Sequence, residues 1–211
     1  MLLMLLLMAL SPGRTFPAPA GPLGQKIVVV DPGHGGSDPG AVSGKTYEKD
    51  INLLLAVAIK KTLEESGARV VLTREGDYSP GSAGGSVRRD LEKRLEIARR
   101  HRADIFLSVH TNSFKGIVDG GPEVFYHPGS ERGRLLAECI QKELLSIPGS
   151  GNRSVKPGDC LVLADTSIPS ALVEVGFMSS SDEKRKLLDR AYQGLLAEKI
   201  TRGILQYFAK G

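Results

Sequence analysis

The chain has 211 residues, 41% of them hydrophobic and 25% charged, with 25 Gly, 12 Pro, 2 Cys and no Trp. That length and balance favour one compact domain with a real core, and exclude a collagen, a coiled coil, a polytopic membrane protein and a wholly disordered chain. Two cysteines cannot build a disulfide framework or a four-thiolate metal site, and a net charge of +4 suits an anionic polymer, cell wall as readily as nucleic acid.

Met1 to Leu10 is almost purely apolar, and Ser11 to Gly24 follows as a Pro/Gly/Ala linker. As a helix the first ten residues would reach only about 15 Å, half of a bilayer core. No Lys or Arg precedes them, yet Ala18-Pro19-Ala20 has the small residues of a cleavage site. Residues 1–24 therefore read as a shortened export signal or anchor with its linker, and residues 25–211 as the working domain.

From Lys26 onward strands and amphipathic helices alternate. Lys26-Ile-Val-Val-Val-Asp31 is a β-branched run stopped by Pro32-Gly33, which predicts a strand buried on both faces. Ile51, Leu54, Leu55, Ala58, Ile59 and Leu63 recur at helical spacing until Ser66-Gly67. Arg69 to Thr73 predicts a second strand, Leu91, Leu95 and Ala98 a second helix, and Asp104 to His110 a third strand. Ser79 to Ser86 is Gly/Ser-rich and reads as a surface insertion. A fourth strand is expected over Gly121 to Tyr126, a helix around Leu135 to Leu144, two short strands near Leu161-Val162-Leu163 and Ala171 to Val175, and a closing helix from Tyr192 to Tyr207. The order predicts a single α/β domain whose central sheet, of about six strands, is mostly parallel or mixed and has helices on both faces.

In a right-handed strand–helix–strand unit the helix begins near the carboxyl edge of the strand before it. His34 lies just past the first strand, Glu48 opens the first long helix, and His110 ends the third strand. If those strands run parallel, the three side chains meet where open α/β sheets hold ligands. Two imidazoles and a carboxylate suit one Zn²⁺ with a position left open for water, although copper or nickel would also bind such donors. Taken singly, Glu48 could serve the helix dipole, His34 a glycine-rich turn, and His110 the core. Glu174 interrupts the apolar run Ala171-Leu-Val-Glu-Val-Gly176, and a carboxylate there needs a cation, a donor or a task. Beside an activated water it could act as general base and then protonate a leaving amine; on an edge strand it would simply face solvent.

Other residues carry less. The segment Asp31 to Gly36 lacks the Lys-Ser/Thr of a phosphate loop, and Ser108 sits inside a strand with no nucleophile-elbow context. Cys139 falls on an apolar helix face, Cys160 in a loop, and His101 and His127 read as surface residues. Arg74, Arg94 and Asn112 could orient substrate or the metal-binding side chains, or simply form structural ion pairs.

Asp31-Pro-Gly-His-Gly-Gly36, Glu48, Ser108-Val-His-Thr-Asn112 and Glu174-Val-Gly-Phe177 together resemble the signature blocks of the zinc-dependent N-acetylmuramoyl-L-alanine amidases of type 3, from about Lys26 to Phe208. Tyr47-Glu-Lys-Asp50, Thr73-Arg-Glu75 and the insertion before Arg88-Arg89 are most similar to the germination-specific, spore-cortex subgroup. The resemblance implies hydrolysis of the amide between N-acetylmuramic acid and the L-alanine of the peptidoglycan stem. It implies zinc on His34, Glu48 and His110, and Glu174 as the catalytic carboxylate. In cortex-type members the stripped muramic acid goes on to muramic-δ-lactam through a separate deacetylase. A peptidoglycan partner, and from it an extracytoplasmic location, follow in the same way, with no role for nucleic acid; an activating protein is an open option, and membrane contact is expected only through the leader. Two alternatives are a catalytically idle wall-binding module and a zinc carboxypeptidase of similar fold.

Overall fold

The computed structural model describes residues 21–24, 26–81, 86–114 and 120–210. The expected leader, Met1 to Leu10, and most of its linker lie outside them, as does the middle of the Gly/Ser-rich insertion. Among the described residues no helix is long and apolar enough to cross a membrane.

The described residues form eight strands and five α-helices, in order β1 (Ile27–Pro32), β2 (Val42–Ser43), β3 (Thr46–Tyr47), α1 (Glu48–Glu65), β4 (Arg69–Leu72), α2 (Val87–Arg100), β5 (Ile105–Asn112), β6 (Glu123–Tyr126), α3 (Glu131–Leu144), β7 (Lys156–Pro157), β8 (Ser170–Phe177), α4 (Ser181–Leu187) and α5 (Arg190–Lys210). Six strands form one sheet in the order β4-β1-β5-β8-β6-β7, and β2 pairs with β3 as a small separate hairpin. β1 is parallel to both β4 and β5, and β5 to β8, while β6 runs antiparallel to β8. The sheet is mixed, as the alternation of elements predicts.

Both faces of the sheet are covered. Val28, Val30, Leu107, Val109, Val173 and Val175 point to the side where α1, α3 and α5 pack, joined by Leu55, Ile59, Leu136, Ile140 and Ile200. Val29, Phe106 and Leu172 point the other way and meet Ala98 of α2 with Val162 and Leu163. Because side chains alternate along a strand, every second residue of β5 and β8 belongs to the α2 face. Ser108, His110 and Glu174 fall on that second set.

Three local expectations change. Leu161–Leu163 is a 3-10 turn and not a strand. Its three apolar residues are too few to carry a period, and they gain burial by closing over α2. α4 is a short helix the apolar pattern does not mark: only Leu187 of it is buried, and Ser180 caps it by accepting from the Glu183 N–H. The two-residue β7 sits at the sheet edge beyond β6, where burial imposes no pattern.

Candidate active site

The loop after β1 is held in a conformation that few residues adopt. His34 has φ 62°, in the left-handed region, and Gly35 and Gly36 follow with φ 131° and 60°. Two buried guanidinium groups pin this loop by its carbonyls. Arg74 donates to the carbonyls of Pro32, Gly33, Lys49 and Gly76. Arg94 donates to those of Pro32 and His34, at 2.9 and 2.8 Å, and pairs with the buried Asp31 carboxylate at 2.7 Å. Asp31 also accepts from the Thr73 and Ser108 hydroxyls. Burial would lift the Asp31 carboxyl, but the Arg94 charge and these donors hold it below its ordinary range. Arg74 and Arg94 therefore lie beneath the loop with most of their donors taken up by the protein. Asn112 ends β5, where its carbonyl accepts from the Met178 N–H.

His34, Glu48 and His110 converge as their predicted edge positions require, with ligand-type atoms all within 4.8 Å of one another. His34 Nε2 lies 3.1 Å and His110 Nδ1 3.0 Å from the same oxygen, Glu48 Oε1. The rings meet edge to face with centroids 4.9 Å apart. Glu48 is in the first turn of α1 but does not cap it. Its carboxylate faces inward, accepting from the Ala41 N–H at 2.8 Å and from Thr111 N–H and Asn52 Nδ2 at 3.2 Å each. Burial raises the Glu48 carboxyl, yet the two histidines outweigh it and hold it well below the usual carboxylate range. The reverse holds at His34: burial disfavours the imidazolium, and the hydrogen bonds and charges of Glu48 and Asp38 overcome this and lift it to about 9.

Several supporting residues escape a sequence reading. Asp38 Oδ2 lies 2.7 Å from His34 Nδ1, which fixes the ring so that Nε2 faces Glu48. Gly33 and Gly40 are required by close approach: a Cβ on Gly33 would overlap the His110 ring, and one on Gly40, already at φ 64°, would lie 2.6 Å from Glu48 Oε2. Spacing alone does not mark these residues, since Asp38 and Gly40 belong to a loop whose path depends on the fold.

Glu174 stands beside this cluster. In the parallel β5–β8 pair its Cα partner is His110. Its Oε2 is buried and has no hydrogen-bond partner among the described residues. Burial lifts its carboxyl to about 7; the His110 charge pulls against this shift and the Glu48 charge adds to it. A carboxyl group poised near neutrality can both accept and return a proton. A cleft of about 290 Å³ opens from His34 and His110 along α2, walled by Leu91, Leu161, Val162 and Leu172. Cys160 also lines it, and burial followed by the Glu174 charge raises its thiol. Cys139 is buried in α3.

Comparison with known proteins gives a consistent picture. Residues 28–206 match the family model described as N-acetylmuramoyl-L-alanine amidase. The germination-specific N-acetylmuramoyl-L-alanine amidase of Bacillus subtilis is 35% identical over 195 residues, covering 90% of this chain and 82% of that protein. The amidase LytC of the same organism is 32% identical over 191 residues, covering 89% of this chain but 36% of LytC. Among solved structures, the CwlD amidase of Clostridioides difficile, in complex with the GerS lipoprotein, is 36% identical and superposes with a TM-score of 0.82 over 89% of this chain and 100% of that one. The amidase AmiC2 of Nostoc punctiforme is 37% identical, with a TM-score of 0.76 over 87% of this chain and 97% of that one.

Proposed function

The chain belongs to the N-acetylmuramoyl-L-alanine amidase family, and on that premise we propose that it is a zinc hydrolase that removes stem peptides from muramic acid in spore cortex. One observation supports the mechanism above all: two imidazole nitrogens and one carboxylate oxygen within 4.8 Å, next to a carboxylate oxygen that is buried and has no partner among the described residues. The donor set suits a divalent ion by its chemistry, and its outer partners do too. A ligating histidine ordinarily hands its second nitrogen to a carboxylate, as His34 does to Asp38.

His34, Glu48 and His110 would hold the ion. When bound, zinc supplies a Lewis acid for the amide carbonyl and brings the pKa of water from 15.7 towards about 7. The remaining steps fall to the chain. Glu174 takes the proton of the attacking water on Oε2 and passes it to the nitrogen of the departing L-alanine, so that one carboxylate serves as base and then as acid. Arg94 and Arg74 keep the His34 loop in its left-handed conformation during the reaction.

The cortex assignment draws on the likeness to the germination-specific relative, with conversion of the stripped muramic acid to muramic-δ-lactam as the expected fate of the product. Action outside the cytoplasm follows from a peptidoglycan substrate. A lipoprotein helper is part of the proposal, by analogy with the CwlD–GerS complex. Digestion of purified peptidoglycan with and without added Zn²⁺, followed by mass spectrometry, tests the reaction. Stems released with a free L-alanine amine only when zinc is present are the expected result; stems shortened from their carboxyl end would contradict it.

Asp38 gives a first quantitative check. Asp38→Ala leaves His34 Nδ1 without its acceptor and frees the ring to turn. Zinc affinity should fall about 10- to 100-fold, the usual loss when such an outer partner is removed. Competition with a chromophoric chelator measures it, and an affinity within twofold of the parent would mean that Asp38 does not orient the ring.

A further inference from the structure

The side of the sheet beyond Glu174 carries a charge cluster to which the reaction as derived gives no role. β6 lies antiparallel to β8 with Glu123 opposite Glu174 and Phe125 opposite Leu172. By strand alternation Glu123 lies on the α2 face, the face of Glu174. Two buried carboxyl groups opposite each other repel, and Glu123 is held by two cations: Lys156 Nζ at 2.7 Å and Arg153 Nη1 at 3.3 Å, both on Oε1. Arg153 is also engaged by the Gly120 carbonyl and lies over the Phe177 ring. Lys156 differs. Its side chain is 54% exposed while that of Glu123 is 5% exposed. An ammonium has three donors, and Glu123 accounts for one of them. Among the described residues Glu123 is the one partner of the Lys156 ammonium, so its other donors are open to solvent.

The direction of the substrate follows from the role of Glu174. If Glu174 returns its proton to the leaving amine, that nitrogen lies beside it. The acyl portion then takes the cleft along α2, and the peptide that departs with the nitrogen runs the other way, over β8 towards β6. Two strand spacings separate β8 from β7, about 10 Å, which an extended peptide spans in about three residues. We propose that Lys156, steered by Glu123, is a specificity-determining residue that selects substrates with a free carboxylate on the second or third residue of the leaving peptide. This rests on the amidase reading and on Glu174 as the proton carrier.

The test uses the full-length, zinc-loaded protein and N-acetylmuramoyl-tripeptides whose second and third residues carry either free or amidated carboxyl groups. The unmodified chain should favour the free-acid substrate about tenfold in kcat/KM, mainly through KM. Lys156→Gln should bring the ratio close to one, Lys156→Arg should keep most of it, and Lys156→Glu should invert it. Arg153 remains to pair Glu123 in each variant, so the strand pairing is retained. An unmodified chain that cleaves both substrates equally, or a Lys156→Gln variant that keeps the preference, overturns the assignment while leaving the amidase reaction intact. Failure to cleave either substrate would instead remove the reaction and this assignment together.

Discussion

Glu174→Gln should lower kcat about 10³-fold, within the range expected for a lost general acid–base group, while zinc content stays at the parental level. The same substitution should stabilise the metal-free protein. The Glu174 carboxyl sits at about 7 against an ordinary value of 4.5, so between those limits the folded chain binds the extra proton and the unfolded chain does not. The ionised side chain therefore destabilises the fold increasingly from pH 4.5 to 7 and by a constant amount above that. At 1.36 kcal/mol per pKa unit the gain from removing the charge is at most about 3 kcal/mol. Thermal unfolding of metal-free protein at pH 8 and pH 4 measures it, with the difference between parent and variant vanishing at the lower pH. A variant that is neither slower nor more stable at pH 8 would show that Glu174 is not a buried carboxylate held for proton transfer.

The second large effect is on folding. Arg94→Met strips the counter-charge from Asp31, a side chain 1% exposed that keeps, among the described residues, the Thr73 and Ser108 hydroxyls. Breaking a buried pair from one side costs about 3–5 kcal/mol, a large share of the roughly 5–15 kcal/mol that holds a domain together. The His34 carbonyl also loses its donor, and that of Pro32 keeps Arg74 but loses Arg94, so the His34 loop should relax and zinc affinity should fall with stability. Urea unfolding gives the first quantity and metal titration the second. A midpoint unchanged by the substitution would mean that water or a rearranged Arg74 satisfies Asp31.

These two residues mark where the sequence was informative and where it was not. The meeting of His34, Glu48 and His110, with Glu174 in register beside His110, was legible because each is a polar residue at an element end or inside an apolar strand, and the carboxyl edge of a parallel sheet is a fixed place to bring such groups together. The fold class was legible for a related reason: β1, β5 and β8 are mostly apolar on both faces, as strands buried on two faces must be. Arg94 was ambiguous. On a helix with so many charges its burial cannot be told from the exposure of Arg88 or Lys93, and only the depth of Asp31 beneath it decides. Leu161–Leu163 misled because an apolar triplet fits a strand and a 3-10 turn equally well. Asp38 and Gly40 depend on the path of a loop, and Lys156 on an edge pairing of two residues; neither has a period to detect.

The central claim is that His34, Glu48 and His110 share one divalent ion. Diffraction from zinc-loaded crystals, recorded on both sides of the zinc absorption edge, tests it most directly. One anomalous peak, within about 2.0–2.2 Å of both imidazole nitrogens and a Glu48 oxygen, is the expected result. A peak elsewhere, or none at full zinc occupancy in solution, would contradict it.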